Sequence, residues 1–279
     1  MFEAKVIADS ICESNRLTTI QMTGWVALQA EVNTHSAFAK NASSSRAIPI
    51  KKMLERVEAE PFIPIYWGKA TRGMSPVEEI DNKEEAVRLW LEARDKIVEI
   101  VRKLDALGLH KQSPNRLLAP FSWITTAITG DDDGWCNFFA QRCHPDAQQE
   151  FQHPAYLAQK AYFESTPFIK KEGEWHLPYV MPEERDQNIE DLIKLSTGRT
   201  ARTSYLSQEG KRENQKDFEL HDRLVESNPK HLSPLEQVAF ASPNAPKNGK
   251  FKGWTSYRKL IPNEFITEFE PNYKEYFGE

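Results

Sequence analysis

Cysteine is scarce in this chain. Cys12, Cys136 and Cys143 are the whole complement of 279 residues, an odd number with no C-x-x-C pair. That excludes a disulfide-stapled framework and a thioredoxin-type redox pair, and reads as free thiols in a reducing compartment. Long apolar runs are missing too. Nothing approaches the roughly 18 consecutive apolar residues that cross a bilayer, and the start MFEAKVIADS lacks the apolar centre of a signal peptide. A soluble, cytoplasmic protein without a membrane partner is expected. Positive charge is not in excess, since 36 Lys and Arg face 41 Asp and Glu for a net charge of −5. A dedicated duplex-binding protein shows a basic face, so no nucleic-acid partner is expected. A few clustered arginines would still suffice to hold one phosphate. The 12 glycines form neither G-x-G-x-x-G nor a Walker-type loop, so Rossmann and P-loop cofactor sites have no support.

What is present is enough apolar residue, 39%, to bury a substantial core. One domain over 1–279 is expected, with 165–198, rich in proline and charge, as a connecting excursion. KVIADSI and LTTIQM lean towards strand, and PFIPIYWGKATRGMSPVEE reads as loop. The clearest element is a helix over 81–107. Asp81 and Glu84 have capping-box spacing, Gly108 supplies the stop, and Val87, Trp90, Ala93, Ile97, Val101 and Leu104 form one apolar stripe. At about 1.5 Å per residue it would be some 40 Å long, the expected spine of the domain. Ser113-Pro114 predicts a second helix start, and TGDDDG reads as a polar break. WCNFFAQR then reads as a third helix, which Pro145 interrupts.

Four places could carry chemistry. His35 to Arg46 contains Asn41, Ser43, Ser44, Ser45 and Arg46, hydroxyls and a guanidinium that could ligate phosphate. By composition alone it is a serine-rich surface loop. Arg116 and Arg142 lie in the apolar stretches NRLLAPF and NFFAQR; such an arginine needs an anion or must snorkel to water, and snorkelling is the commoner outcome. His231-Leu-Ser-Pro-Leu-Glu236 has a cap residue, a proline and a first-turn acid, the pattern of a helix start, which can also face an anionic cofactor. Asp131–Asp133 lack the ligand series of a calcium loop, and Cys143, His144 and His153 lack metal-helix spacing, so no metal site is expected.

These places coincide with the motifs of one family. Thr34-His35-Ser36, seven residues, then Ser44-Ser45-Arg46 resembles the R-H-R, seven residues, S-x-R signature of flavin-dependent thymidylate synthases. The spacing, the central histidine and the S-x-R half are kept, whereas both flanking arginines are lost. Asn115-Arg116-Leu-Leu-Ala-Pro120 resembles the family's A-R-x-x-L-P. Asn137-Phe-Phe-Ala-Gln141-Arg142 followed by Ala147-Gln148-Gln149-Glu150 resembles its F-L-x-x-R…H-A-Q-x-E helix, with the histidine displaced to His144. The family's Asn-x-Arg reads Asp131-Asp132-Asp133 here. Ala201-Arg202-Thr203-Ser204-Tyr205 and His231-Leu-Ser-Pro-Leu-Glu236-Gln237 resemble two motifs that ordinarily precede R-H-R, so their place near the end is the pattern of a circular permutation. The wording N-A-S-S-S-R-A-I-P is similar to a phage-type branch, which would put the protein in a host cytoplasm.

The resemblance implies an α/β fold (α+β), a twisted sheet packed on long helices, assembled as a homotetramer with active sites between subunits. It implies C5 methylation of dUMP, with methylenetetrahydrofolate as carbon donor and FAD as hydride carrier recharged by NADPH. Ser44, Ser45, Arg46, Arg116 and Arg142 carry over as nucleotide ligands, Arg142 also as the group stabilising charge on the uracil ring. His35, Asn137, Gln141, His144, Ser204, Ser233 and Glu236 carry over as flavin contacts. Two other readings stand beside this one: a dUMP hydroxymethylase on the same scaffold, and a non-catalytic relative that binds nucleotide or flavin.

Overall fold

The structure is a computed structural model that describes residues 1–73, 76–203, 213–266, 269 and 271–278. In chain order, β1 (Glu3–Cys12) and β2 (Asn15–Trp25) precede α1 (Gln29–Thr34), β3 (Ala39–Ala42), α2 (Ile50–Ala59), α3 (Lys83–Ala106) and α4 (Pro114–Leu117). Then come β4 (Trp123–Asp131), α5 (Asp132–Arg142), α6 (Gln149–Glu164), β5 (Phe168–Ile169), β6 (Trp175–His176) and α7 (Ile189–Arg202). The chain continues through α8 (Asn214–Glu226), β7 (Ala239–Ala241), β8 (Trp254–Ser256) and α9 (Tyr273–Phe277).

The main sheet has five strands in the order β3-β4-β2-β1-β5, antiparallel except for the β1–β5 pair. Side chains alternate along a strand, so register decides which face each residue joins. Ile20 lies opposite Ile128 and Met22 opposite Thr126. This face, with Leu28 and Phe38, is buried under Trp135, Phe138 and Phe139 of α5 and Phe151, Ala155 and Tyr162 of α6. The opposite face is polar: Thr19 pairs with Thr129 and Thr23 with Thr125, their hydroxyls 2.7 and 3.1 Å apart. Burial there is tolerated because each of these threonine hydroxyls finds a partner. Thr19 also bonds His176 Nε2 at 2.8 Å, and Thr129 donates to Gln237 at 3.1 Å. The small sheet β6-β7-β8 brings His176 to this face, and Gln237 comes from just ahead of β7.

The mixed α/β architecture is as expected, with several corrections to its parts. The cap of α3 is Asn82 rather than Asp81, its side chain accepting from the Glu85 N–H at 3.1 Å. Gly108 does end the helix, at φ +76. Yet α3 is not the spine. It packs on α2 and α4, and its Val98 and Val101 form a satellite core with Ile48, Met53, Leu54, Val57, Leu118 and Phe121. The spine is the sheet with α6.

The polar break TGDDDG is instead a junction of two ordered elements. β4 runs to Asp131, and Asp131 caps α5 by accepting from the Gly134 N–H at 2.9 Å. The β-branched run in TrpIleThrThrAlaIleThr was the signal for this central strand. The stretch 165–198 is not a bare connector: it holds β5, β6 and most of α7, whose Leu192, Leu195, Ser196 and Thr197 are buried. A Cβ at Gly198 would stand 2.4 Å from the Asp217 carbonyl oxygen, so glycine there sets how closely α7 approaches α8.

Candidate functional site

His35 follows α1, and Arg142 is the last residue of α5. They are 107 residues apart in the chain, and the fold joins them: Arg142 Nε donates to His35 Nε2 at 2.9 Å. The imidazole is buried against Phe138 and Phe151, with ring centroids 5.0 and 6.4 Å away. Burial, then the positive charges of Arg142 and Lys40, hold its pKa down at about 4. It is therefore neutral at pH 7, and because Nε2 accepts, its proton resides on Nδ1. The Arg142 guanidinium lies 4.5 Å from the centre of the Phe151 ring, in cation–π contact. Burial lowers its pKa, while Glu31 acts on it through space. Among the described residues no carboxylate forms an ion pair with it. A half-buried guanidinium held by a neutral histidine and an aromatic face retains N–H groups for a ligand.

Sequence reasoning missed two lysines beside this pair. Lys40 of β3 donates to the carbonyls of His35, Val32 and Asn33 at 2.6, 3.3 and 3.3 Å, closing the end of α1. Lys250 donates to the Ser36 carbonyl at 3.0 Å. Burial, followed by repulsion from Lys250, pulls the Lys40 pKa down to about 8, and Glu236 acts in the opposite direction. Positive charge therefore stands around Thr34-His35-Ser36 even though both R-H-R arginines are gone. Tertiary structure supplies it from other positions, and nothing local in the sequence marked Lys250 for it. Charge of this sign attracts an anionic group.

The serine loop follows β3. Ser43 continues the pairing with β4: its N–H donates to the Thr125 carbonyl at 2.8 Å, and its hydroxyl accepts from the Thr125 N–H at 3.2 Å. The Ser44 carbonyl accepts from the Ala47 and Ile48 N–H groups, and its Oγ accepts from the Arg46 N–H at 3.3 Å, which winds the loop into a turn. Fully buried Asn115 clamps it, donating to the Ser45 and Ile48 carbonyls at 2.7 and 2.9 Å, and Lys111 holds the Ala47 carbonyl at 3.0 Å. Arg116, next to Asn115, and Arg46 are both exposed, and neither has an ion-pair partner among the described residues. The S-x-R and N-R motifs are thus brought together, with Asn115 as the joint that residue types alone did not single out. β3, at about 3.4 Å per residue, separates this loop from the His35 end by roughly 13 Å.

The remaining expected flavin contacts divide. Asn137 and Gln141 are exposed on α5 and hydrogen-bonded to each other at 3.0 Å; His144 is exposed just beyond, 3.2 Å from the Asp146 N–H. Of segment 201–240, expected beside 34–46, the turn Pro234–Glu236 contacts β3, and residues 204–212 lie outside the described residues. The expected helix start there is, however, a single 3-10 turn: Ser233 is exposed and makes no cap bond. Glu236 is not free for a cofactor, because Arg258 pairs with it at 2.6 Å. Ser204 lies outside the described residues. The acidic run at the family's Asn-x-Arg positions is partly committed to structure. Asp131 also accepts from the Lys252 N–H at 2.7 Å, Asp132 accepts from the Tyr162 hydroxyl and from the Arg16 N–H at 3.3 Å, and Asp133 is exposed.

No family model matches the chain, and no characterised protein matches it in sequence. Among solved structures it is similar to the crystal structure of a UMP/dUMP methylase PolB from Streptomyces cacaoi bound with 5-Br dUMP. The identity is 14% and the TM-score 0.45, over 55% of this chain and 68% of that one. A likeness of that order leaves any assignment to the residues themselves. No helix among the described residues is long and apolar enough to cross a membrane.

Proposed function

We propose that the protein is an enzyme that methylates dUMP at C5, a flavin-dependent thymidylate synthase. Methylenetetrahydrofolate would be the carbon donor, and FAD, recharged by NADPH, the reductant. The observation that supports it is the contact of His35 with Arg142, which unites two motifs that the resemblance assigns to one site but the sequence holds 107 residues apart. The clamp of Asn115 on the serine loop supports it independently.

In this reading Arg142 contacts the uracil ring and stabilises the negative charge that develops there, because a fixed guanidinium in a partly dry site needs no reorganisation as charge appears. Neutral His35 holds Arg142 in place without competing for its charge. Ser44, Ser45, Arg46 and Arg116 take the phosphate. Lys40 and Lys250, with Asn137, Gln141 and His144, hold FAD, whose chemistry when bound is to supply the hydride. The assembly is a homotetramer whose neighbouring copies complete the site.

Hydroxymethylation of dUMP is the second reading, favoured by one feature: Asp131 and Asp133 stand at the family's Asn-x-Arg positions, and Asp131 is engaged in structural bonds. Incubation with dUMP, methylenetetrahydrofolate, FAD and NADPH, followed by mass analysis of the nucleotide, tests both. Thymidylate is expected, and 5-hydroxymethyl-dUMP would select the second reading. Unaltered dUMP together with flavin that NADPH fails to bleach would leave a non-catalytic binding protein.

A further inference from the structure

We propose that the cleft between β5, β6 and the start of α7 is a second binding site, for an aromatic ring carrying a phosphate, of nucleoside-monophosphate type. The cleft is about 420 Å³, and its lining includes the apolar side chains of Ile7, Leu177 and Leu192 and the rings of Trp175 and Phe168. Two cations stand over it. Arg185 is exposed and lies 4.4 Å from the centre of the Phe168 ring, and Lys170 is half-buried. Neither has an ion-pair partner among the described residues. Burial is the main cause that lowers the Lys170 pKa; the attraction of Glu174 opposes it, and the nearness of Arg185 adds a smaller push in the same direction as burial. Asp9, the buried carboxylate in the lining, is already paired with Arg16 at 2.7 Å. Glu174 is the remaining acidic group, exposed and accepting from the Lys171 N–H at 2.9 Å.

A half-buried ammonium and an exposed guanidinium on one cleft offer two charged donor groups to a single anion. The exposed aromatic and the guanidinium plane offer stacking surfaces to a ring at the same time. β5 and β3 form opposite edges of the sheet, so at about 4.8 Å per strand this cleft lies nearly 20 Å from the His35 edge.

Calorimetric titration with adenosine 5′-monophosphate tests the proposal on the whole chain. Saturable binding is expected, with adenosine and inorganic phosphate each binding at least about tenfold more weakly. Lys170→Met and Arg185→Met should each weaken the nucleotide by about tenfold or more, one charge-assisted hydrogen bond's worth. Arg142→Lys should leave it unchanged. Absence of saturable binding, indifference to both cleft substitutions, or dependence on Arg142 would each overturn the proposal. Arg185 is exposed, so Arg185→Met decides alone if Lys170→Met fails to fold.

Discussion

Replacing Arg142 by lysine separates binding from architecture at the centre of the proposed site. In the native fold the guanidinium uses Nε on His35 at 2.9 Å and its face on Phe151 at 4.5 Å, with no carboxylate partner among the described residues. Lysine keeps a charge that can still lie on the Phe151 ring but loses the planar fork. A lost charge-assisted hydrogen bond to the nucleotide is worth about 1.5–3 kcal/mol, so dUMP should bind roughly ten- to 150-fold more weakly. The fold should survive with a modest loss, because His35 Nε2 becomes a buried acceptor without its donor, a cost of about 1–3 kcal/mol. Isothermal titration with dUMP and a melting curve on the same preparation read both quantities. A lower melting temperature with dUMP affinity unchanged would refute the reasoning and leave Arg142 a purely internal contact. Arg142→Met adds a spectroscopic check. Removing the cation should raise the His35 pKa, followed by ring NMR, though not fully to 6.5, because burial is the larger cause of its depression.

Acid should destabilise the protein through two buried histidines. His35 has a folded pKa of about 4 and His176, buried among Thr19 and Ser10, one of about 3, both below the ordinary 6.5. Between pH 6.5 and 4 the unfolded chain binds more protons, so stability falls as pH falls, by on the order of 3 kcal/mol for His35 alone. Denaturant midpoints at pH 7 and pH 4.5 should show this, and His176→Asn should flatten the profile; a profile the substitution leaves equally steep would contradict it. Asn115→Ala removes both bonds that clamp the serine loop, and should cost about 1–3 kcal/mol of stability as well as weakening dUMP. Retained dUMP affinity would detach the loop from the nucleotide site. Lys250→Met should lower the flavin content of the purified protein while leaving dUMP affinity within about twofold, since Lys250 lies at Ser36 rather than at the serine loop. Unchanged flavin absorbance would remove it from the cofactor site.

Local chemistry was enough to determine some of this protein. The 3.6-residue apolar stripe marked α3, because a helix's own burial writes its periodicity into the chain, and residue type marked β1 and β2 as strand-leaning. Gly108 and Pro145 marked where helices stop, since the limits they place on the backbone act within a few residues. Motif spacing selected His35, Ser44, Arg46, Arg116 and Arg142 as one set. Whether they meet is a long-range matter, and tertiary structure alone decided it. Sheet register fixed which residues face α5 and α6, and chain crossings delivered Lys250 to Ser36 and Asn115 to Ser45. The same crossings gave Arg258 to Glu236, which the family resemblance had offered to a cofactor. A side chain's identity states what it can bond. Which partner it bonds depends on contacts between segments far apart in sequence, formed only as the whole core closes.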